Sequence, residues 1–130
     1  MVLDTSAIIA ILTAEPESRR LAHAIAADPK RMISSISLLE AGIVIEARKG
    51  ESGGRELDLL LHRIQVEVIP LTTEMTQLAQ EAWRRFGKGR HPAKLNIGDC
   101  CAYALSKYSG EPLLFKGDDF NQTDIAFVEY

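Results

Sequence analysis

Residues 1–10 read MVLDTSAIIA, and the fourth of them decides how the chain is read. Three apolar residues run into Asp4, Thr5 and Ser6, and a second apolar run follows. This pattern fits a very short buried strand over 2–4 (VLD) that turns at once into an apolar helix over 6–13. An Asp at that turn can cap the helix by accepting its first unpaired N–H groups. It also stands at the carboxyl end of a strand, where open α/β sheets bind ligands.

Working outward, strands and helices alternate. EPESRRLAHAIAADP (15–29) predicts a second helix, with Pro16 at its start and Asp28-Pro29 at its end. RMISS (31–35) reads as a second strand. SISLLEAGIVIEARKG (35–50) predicts a helix stopped by Gly50, and GGRELDLLLHRIQ (53–65) the next. VEVIPL (66–71) alternates and reads as a strand. TTEMTQLAQEAWRRFG (72–87) reads as a Thr-capped helix with Glu74 in its first turn, ending at Gly87. LNIGDCCAYALSKYSG (95–110) is a further helix, PLLF (112–115) a strand, and AFVEY (126–130) a final edge strand. The expected fold is α/β, with a parallel central sheet flanked by helices on both faces.

Acids fall where such a sheet gathers ligands. Asp4 and Asp118 stand at the carboxyl ends of two strands. Glu40 has Ile36, Ser37, Ile43 and Val44 as helical neighbours, so it is expected on a core-facing stripe, where an unpaired carboxylate is rare. Asp99 has Leu95, Asn96, Ala102 and Tyr103 around it; Asn96, one turn earlier, is placed to orient the carboxylate or a water. Structural alternatives exist for each: a helix cap for Asp4, a first-turn acid for Asp99, a salt-bridged edge for Glu40, a turn residue for Asp118. Asp119 can take the place of Asp118, and Asp124 is a weaker candidate. Together, clustered carboxylates need a compensating charge. The absence of a His/Cys cluster points away from zinc and toward Mg²⁺ or Mn²⁺, with oxygen ligands. Bound there, such a cation activates water for cutting a phosphodiester.

The composition sets limits. The chain has 130 residues, 46% hydrophobic and 25% charged, which fits one domain over 1–130. No apolar run approaches the roughly 18 residues of a membrane span. No signal peptide is evident, and Cys100 and Cys101 are adjacent without metal spacing, so a reduced, cytoplasmic chain is expected. A net charge of −3 excludes binding nucleic acid through overall basicity. A local basic stretch remains: RRFGKGRHPAK (84–94) carries Arg84, Arg85, Lys88, Arg90 and Lys94 beside Asp99. It reads as a mobile basic flap for RNA phosphates, with Phe86 or Trp83 available to stack on a base and Trp83 more plausible as core. His23, His62 and His91 are scattered and form no catalytic pair.

Four motifs in order, VLDTSA, SLLE, LNIGDCCAYALS and LLFKGDDF, resemble those of the PIN domain, specifically the compact VapC-type toxins of bacterial toxin–antitoxin pairs. The resemblance spans essentially the whole chain. It implies a Mg²⁺- or Mn²⁺-dependent endoribonuclease whose acidic site is Asp4, Glu40, Asp99 and Asp118, with Ser6 ordering the first acid or its water. One metal would sit on Asp4 and Asp99, with Glu40 and Asp118 binding through water or sharing a second ion. Cleavage of structured RNA, at tRNA or rRNA loops, would leave 5′-phosphate and 3′-hydroxyl ends. The implied partners are a VapB-type antitoxin and a second copy of the chain. The family often has a residue between the last-strand Asp and an Asp-Phe pair, whereas Asp118 and Asp119 are adjacent here. Two other classes compete: a phosphotransfer or phosphatase domain, disfavoured because Ser6 stands where a DxD pair would need an acid, and a non-catalytic RNA- or protein-binding module.

Overall fold

The computed structural model describes all 130 residues, Met1–Tyr130. Strand β1 (Val2–Leu3) is two residues long; the Asp4 N–H still donates to Leu114 O at 2.9 Å, while the Asp4 side chain already caps helix α1 (Thr5–Leu12). Helix α2 (Ser18–Ala27) follows, then β2 (Met32–Ser34), α3 (Ser35–Ile64), β3 (Glu67–Ile69), α4 (Thr73–Phe86), α5 (Ile97–Ser109) and β4 (Leu113–Leu114). All strand pairs are parallel, in the order β3-β2-β1-β4. The expected parallel sheet is therefore present, with β1 in its interior. Strand order reverses between β1 and β4, and a crevice opens at the carboxyl ends of strands at such a point.

Pleating sends successive strand residues to opposite faces. Val2, Met32 and Leu113 join a core with Met75, Phe86, Ala102 and Leu105 from α4 and α5. Leu3, Ile33 and Leu114 join a second core with Ile8, Leu21, Ile25, Ile45 and Leu57 from α1, α2 and α3. Helices thus cover both faces. No helix is long and apolar enough to cross a membrane.

The predicted strands were too long. VEVIPL keeps only Glu67–Ile69, an edge strand with Glu67 and Val68 exposed; Pro70 has no N–H to continue the ladder. AFVEY is not a strand: Phe127 forms a single bridge to Leu113, where Leu113 donates to Ala126 O and Val128 donates to Leu113 O. β4 is itself two residues long, so there is little ladder for the tail to join.

The helix predicted to stop at Gly50 does break there, but a second helical run resumes at once. Gly50 has φ 64° and ψ −154° within the span Ser35–Ile64. That backbone region is open essentially to glycine alone. Replacing Gly50 by Ala is expected to destabilise the protein by about 1–3 kcal/mol, read as a lower urea midpoint with an unchanged m-value.

Candidate active site

Asp4 is built by the strand-to-helix turn. Its φ/ψ of −83°/155° is extended, and its Oδ2 accepts from the Ser6 N–H at 3.0 Å and the Ser6 hydroxyl at 2.6 Å. The Ser6 oxygen in turn accepts the Lys116 backbone N–H at 2.9 Å, linking β1 to the loop after β4. Ser6 therefore orders the first acid directly. The other oxygen, Oδ1, is buried and has no hydrogen-bond partner.

Asp99 sits in the first turn of α5, in a capping box with Asn96. The Asn96 side chain accepts the Asp99 N–H at 2.9 Å, and the Asn96 backbone N–H donates to Asp99 Oδ2 at 3.0 Å. The expectation that Asn96 orients the carboxylate holds through its backbone rather than its side-chain amide. Gly98 lets α5 meet α3: a Cβ there would lie 2.5 Å from Glu40 Oε1. Glu40 itself is half-buried beside the core stripe rather than on it. That stripe is Ser37, Ala41 and Ile45, while Ile43 is 62% exposed. The expected apolar surroundings were one position out of phase, which turns Glu40 toward the crevice.

Asp4, Glu40, Asp99 and Asp119 line one cavity of about 300 Å³, with Ser6, Glu15, Val44, Arg48 and Lys116 among its walls. Asp118 is not among its lining residues; it is exposed and accepts from Asn121 Nδ2 at 3.1 Å. The adjacent Asp119 occupies the position expected of it. Asp124 is elsewhere, accepting from Tyr103 at 2.6 Å and pairing with Lys107 and Arg85.

None of the five basic residues of 84–94 lines this cavity. Arg84 borders a separate depression with Glu74 and Glu81. Arg85 pairs with Asp124 at 3.4 Å and lies over Phe86, and Arg90 lies 4.4 Å from the Trp83 ring centre. Lys88 and Lys94 are exposed. The segment is not a free flap. Lys88 donates to Leu95 O, Leu95 to Phe86 O and Arg90 to Gly87 O, while Ala93 and Leu95 are in the core. The aromatic expectation is reversed as well: Phe86 is buried and Trp83 is 44% exposed. Sequence reasoning missed Arg48, Lys116 and Glu15. The first was legible as the residue two turns beyond Glu40 on the same helical line.

Gathering these acids has an electrostatic consequence. Burial raises Asp99 to about 7, opposed by the Asn96 N–H and reinforced by Asp4, Asp119 and Glu40. Burial raises Asp4 to about 6, opposed by the two Ser6 hydrogen bonds and reinforced by Glu40. No three His, Cys, Asp or Glu side chains stand at full ligating spacing, as mutual repulsion favours. The donor set nevertheless suits a hard divalent cation: all oxygen, with the unpartnered Oδ1 of Asp4 available to it. Cys100 and Cys101 are free, buried and raised by burial, which suits inert thiols.

The PIN-domain family model matches residues 1–126. Ribonuclease VapC of Mycolicibacterium smegmatis is 56% identical over 128 residues, covering 98% of this chain and 99% of the relative. Ribonuclease VapC30 of Mycobacterium tuberculosis is 54% identical, covering 98% of each. Among solved structures, Mycobacterium tuberculosis VapC20, described as a sarcin-ricin loop cleaving toxin, superimposes with a TM-score of 0.79 at 19% identity, covering 98% of this chain and 97% of that one. VapBC2 of Rickettsia felis, bound to a promoter DNA fragment, gives 0.75 at 20% identity, covering 98% and 96%.

The raised acids set a pH dependence. A carboxyl whose folded pKa lies above its unfolded value of about 3.9 binds more protons in the fold, so stability falls as pH rises through the folded value. Metal-stripped protein is therefore expected to lose thermal stability between about pH 5 and pH 8. Asp28 and Asp124, whose values are lowered by their partners, act below this window. Asp99→Asn keeps an acceptor for the Asn96 N–H and removes the charge. It is expected to flatten the profile and raise Tm at pH 8 by about 4 °C, roughly 1 kcal/mol, in calorimetry with chelator present.

Proposed function

The chain belongs to the PIN-domain family, among the VapC ribonucleases, and we propose that its acidic cavity carries out divalent-metal-dependent hydrolysis of RNA. The observation that carries this reading is the unpartnered, buried Oδ1 of Asp4 in a cavity shared with Glu40, Asp99 and Asp119. Neutral carboxyls would need no such convergence, and four anions without a counter-charge would oppose folding.

Asp4 Oδ1 and a carboxylate oxygen of Asp99 are the direct ligands in this reading, and Glu40 and Asp119 act from the facing walls. When bound, Mg²⁺ or Mn²⁺ supplies neutralisation of the phosphodiester charge and a water acidic enough to lose its proton near neutral pH. Ser6 holds Asp4 Oδ2 and leaves Oδ1 without a protein partner. The Asn96 N–H fixes one oxygen of Asp99 and leaves the other free to ligate. Glu40 or Asp119 accepts the proton of the attacking water. The water oxygen bonds to phosphorus, the bond from phosphorus to the 3′-oxygen breaks, and that oxygen takes up a proton from solvent. The products are a 5′-phosphate and a 3′-hydroxyl. No histidine is required, and none lines the cavity.

The solved neighbours include toxin–antitoxin complexes from Klebsiella pneumoniae, Rickettsia felis and Haemophilus influenzae. A VapB-type antitoxin is accordingly the proposed protein partner, and a homodimer the proposed state of the toxin. Leu39 and Ile43, 59% and 62% exposed on either side of Glu40 in α3, support an apolar docking surface near the cavity.

Purified protein incubated with total RNA is expected to generate new 5′ ends at a few sites, with Mg²⁺ or Mn²⁺ and not with EDTA. Asp99→Asn and Asp4→Asn should each reduce the rate by at least about 100-fold while remaining folded. Uniform degradation, or cuts that persist in both variants, would sink the assignment of these acids.

A further inference from the structure

Two cations line the acidic cavity, Arg48 and Lys116, and their circumstances differ. Lys116 Nζ lies 3.1 Å from Glu15 Oε1 and 3.4 Å from Glu17 Oε2. Its charge is already exceeded by its two partners, so it repels rather than attracts a further anion. Its backbone N–H, bonded to Ser6, makes it a pin between the α1–α2 turn and the loop that holds Asp4 in place. Arg48 is exposed and enters no ion pair. It continues the line of Glu40 and Val44 along α3, each one turn apart, so all three border the same cavity. Its neighbour Lys49 is spent on Leu12 O and Glu56.

From this contrast we propose that Arg48 is the residue that grips an RNA phosphate next to the one being cut. The inference rests on the ribonuclease reading and adds the substrate contact that reading lacks. An RNA strand entering a cavity walled by five acids is repelled at every phosphate, and a free cation at the wall supplies local attraction. Eight residues along a helix place Arg48 about 12 Å from Glu40 along the axis. A long side chain starting there reaches a neighbouring phosphate while leaving the scissile one to the acids and their cation. The planar guanidinium can bind two phosphate oxygens at once, which a lysine cannot. The loop 84–94, whose arginines lie outside the cavity, is not needed for this contact.

The test uses the full chain and two readouts. In cleavage of total RNA with Mn²⁺, Arg48→Ala is expected to raise the half-saturating RNA concentration about tenfold with little change in maximal rate, and Arg48→Lys to recover part of the loss. In binding of a labelled single-stranded oligoribonucleotide of mixed sequence, measured in an Asp99→Asn background, Arg48→Ala should make the negative slope of log K against log salt shallower by about 0.7. The upward shift of Tm by Mn²⁺ should be the same with and without Arg48. Wild-type cleavage with an Arg48→Ala variant that matches it in saturation and slope overturns the proposal alone. Loss of the Mn²⁺ shift in Arg48→Ala also overturns it, since Arg48 would then support the acids and not the RNA. If wild type cuts nothing but Arg48→Ala still weakens binding with the shallower slope, the ribonuclease reading fails, and with it the place of the contact beside a scissile bond, while Arg48 remains an RNA phosphate contact. Neither cutting nor binding by wild type overturns both.

Discussion

Four carboxylates are held at one end of a parallel sheet, and the surrounding structure is arranged around their mutual repulsion. The sheet reverses its strand order between β1 and β4, so the loops leaving these two strands diverge and leave a crevice. Asp4 follows β1 and Asp119 follows β4; Glu40 and Asp99 come in from α3 and α5. Two helix N-termini also face the crevice, α1 through Asp4 and α5 through Asp99, and their dipoles offset part of the negative charge. Burial outweighs that offset and, reinforced by the neighbouring acids, raises Asp4 to about 6 and Asp99 to about 7.

The framework was legible where local chemistry and global fold agree. VLD followed by an apolar helix, the Thr72 cap and the glycine at 50 each announced a boundary that exists. Strand lengths were not legible, because strands of two or three residues contain too little alternation to mark their ends. The acids at 4 and 99 were singled out for a different reason, as anions in places that otherwise favour apolar packing or capping, whereas Glu40 was singled out on an apolar stripe that lies one position away from it. The choice between Asp118 and Asp119 depends on the loop after Gly117, whose φ is 103°. One residue of phase there decides which side chain lines the cavity, and periodicity carries no information across such a turn.

Basic residues were harder to place. RRFGKGRHPAK reads as a mobile flap because it is polar and contains two glycines, yet its backbone is tied to Phe86 and Leu95, Arg85 is spent on Asp124 and Phe86, and Arg90 on Trp83. Gly87 is there for close approach, since a Cβ would lie 2.3 Å from Trp83 Cδ1. Density of charge in sequence is therefore a poor guide to charge available at the site. Arg48 carries no such local signal; only its phase relative to Glu40 reveals it.

Asp4 and Asp99 each do two jobs, and the two pull stability in opposite directions. As a cap, Asp4 satisfies the Ser6 N–H, and Asp99 closes the box with Asn96; loss of such a contact costs about 0.5–2 kcal/mol. As buried anions close to one another, the same side chains are unfavourable while no cation is bound, and each unit by which burial raises them is about 1.4 kcal/mol. Asparagine removes the second role and keeps an acceptor for the first, whereas alanine removes both. A site of this kind need not weaken the fold when its acids are neutralised one at a time. What changes is the response to a ligand: anything that binds the fold and not the unfolded chain stabilises it, so a variant lacking one of these acids is expected to gain less from a divalent cation even where its cation-free fold is no weaker.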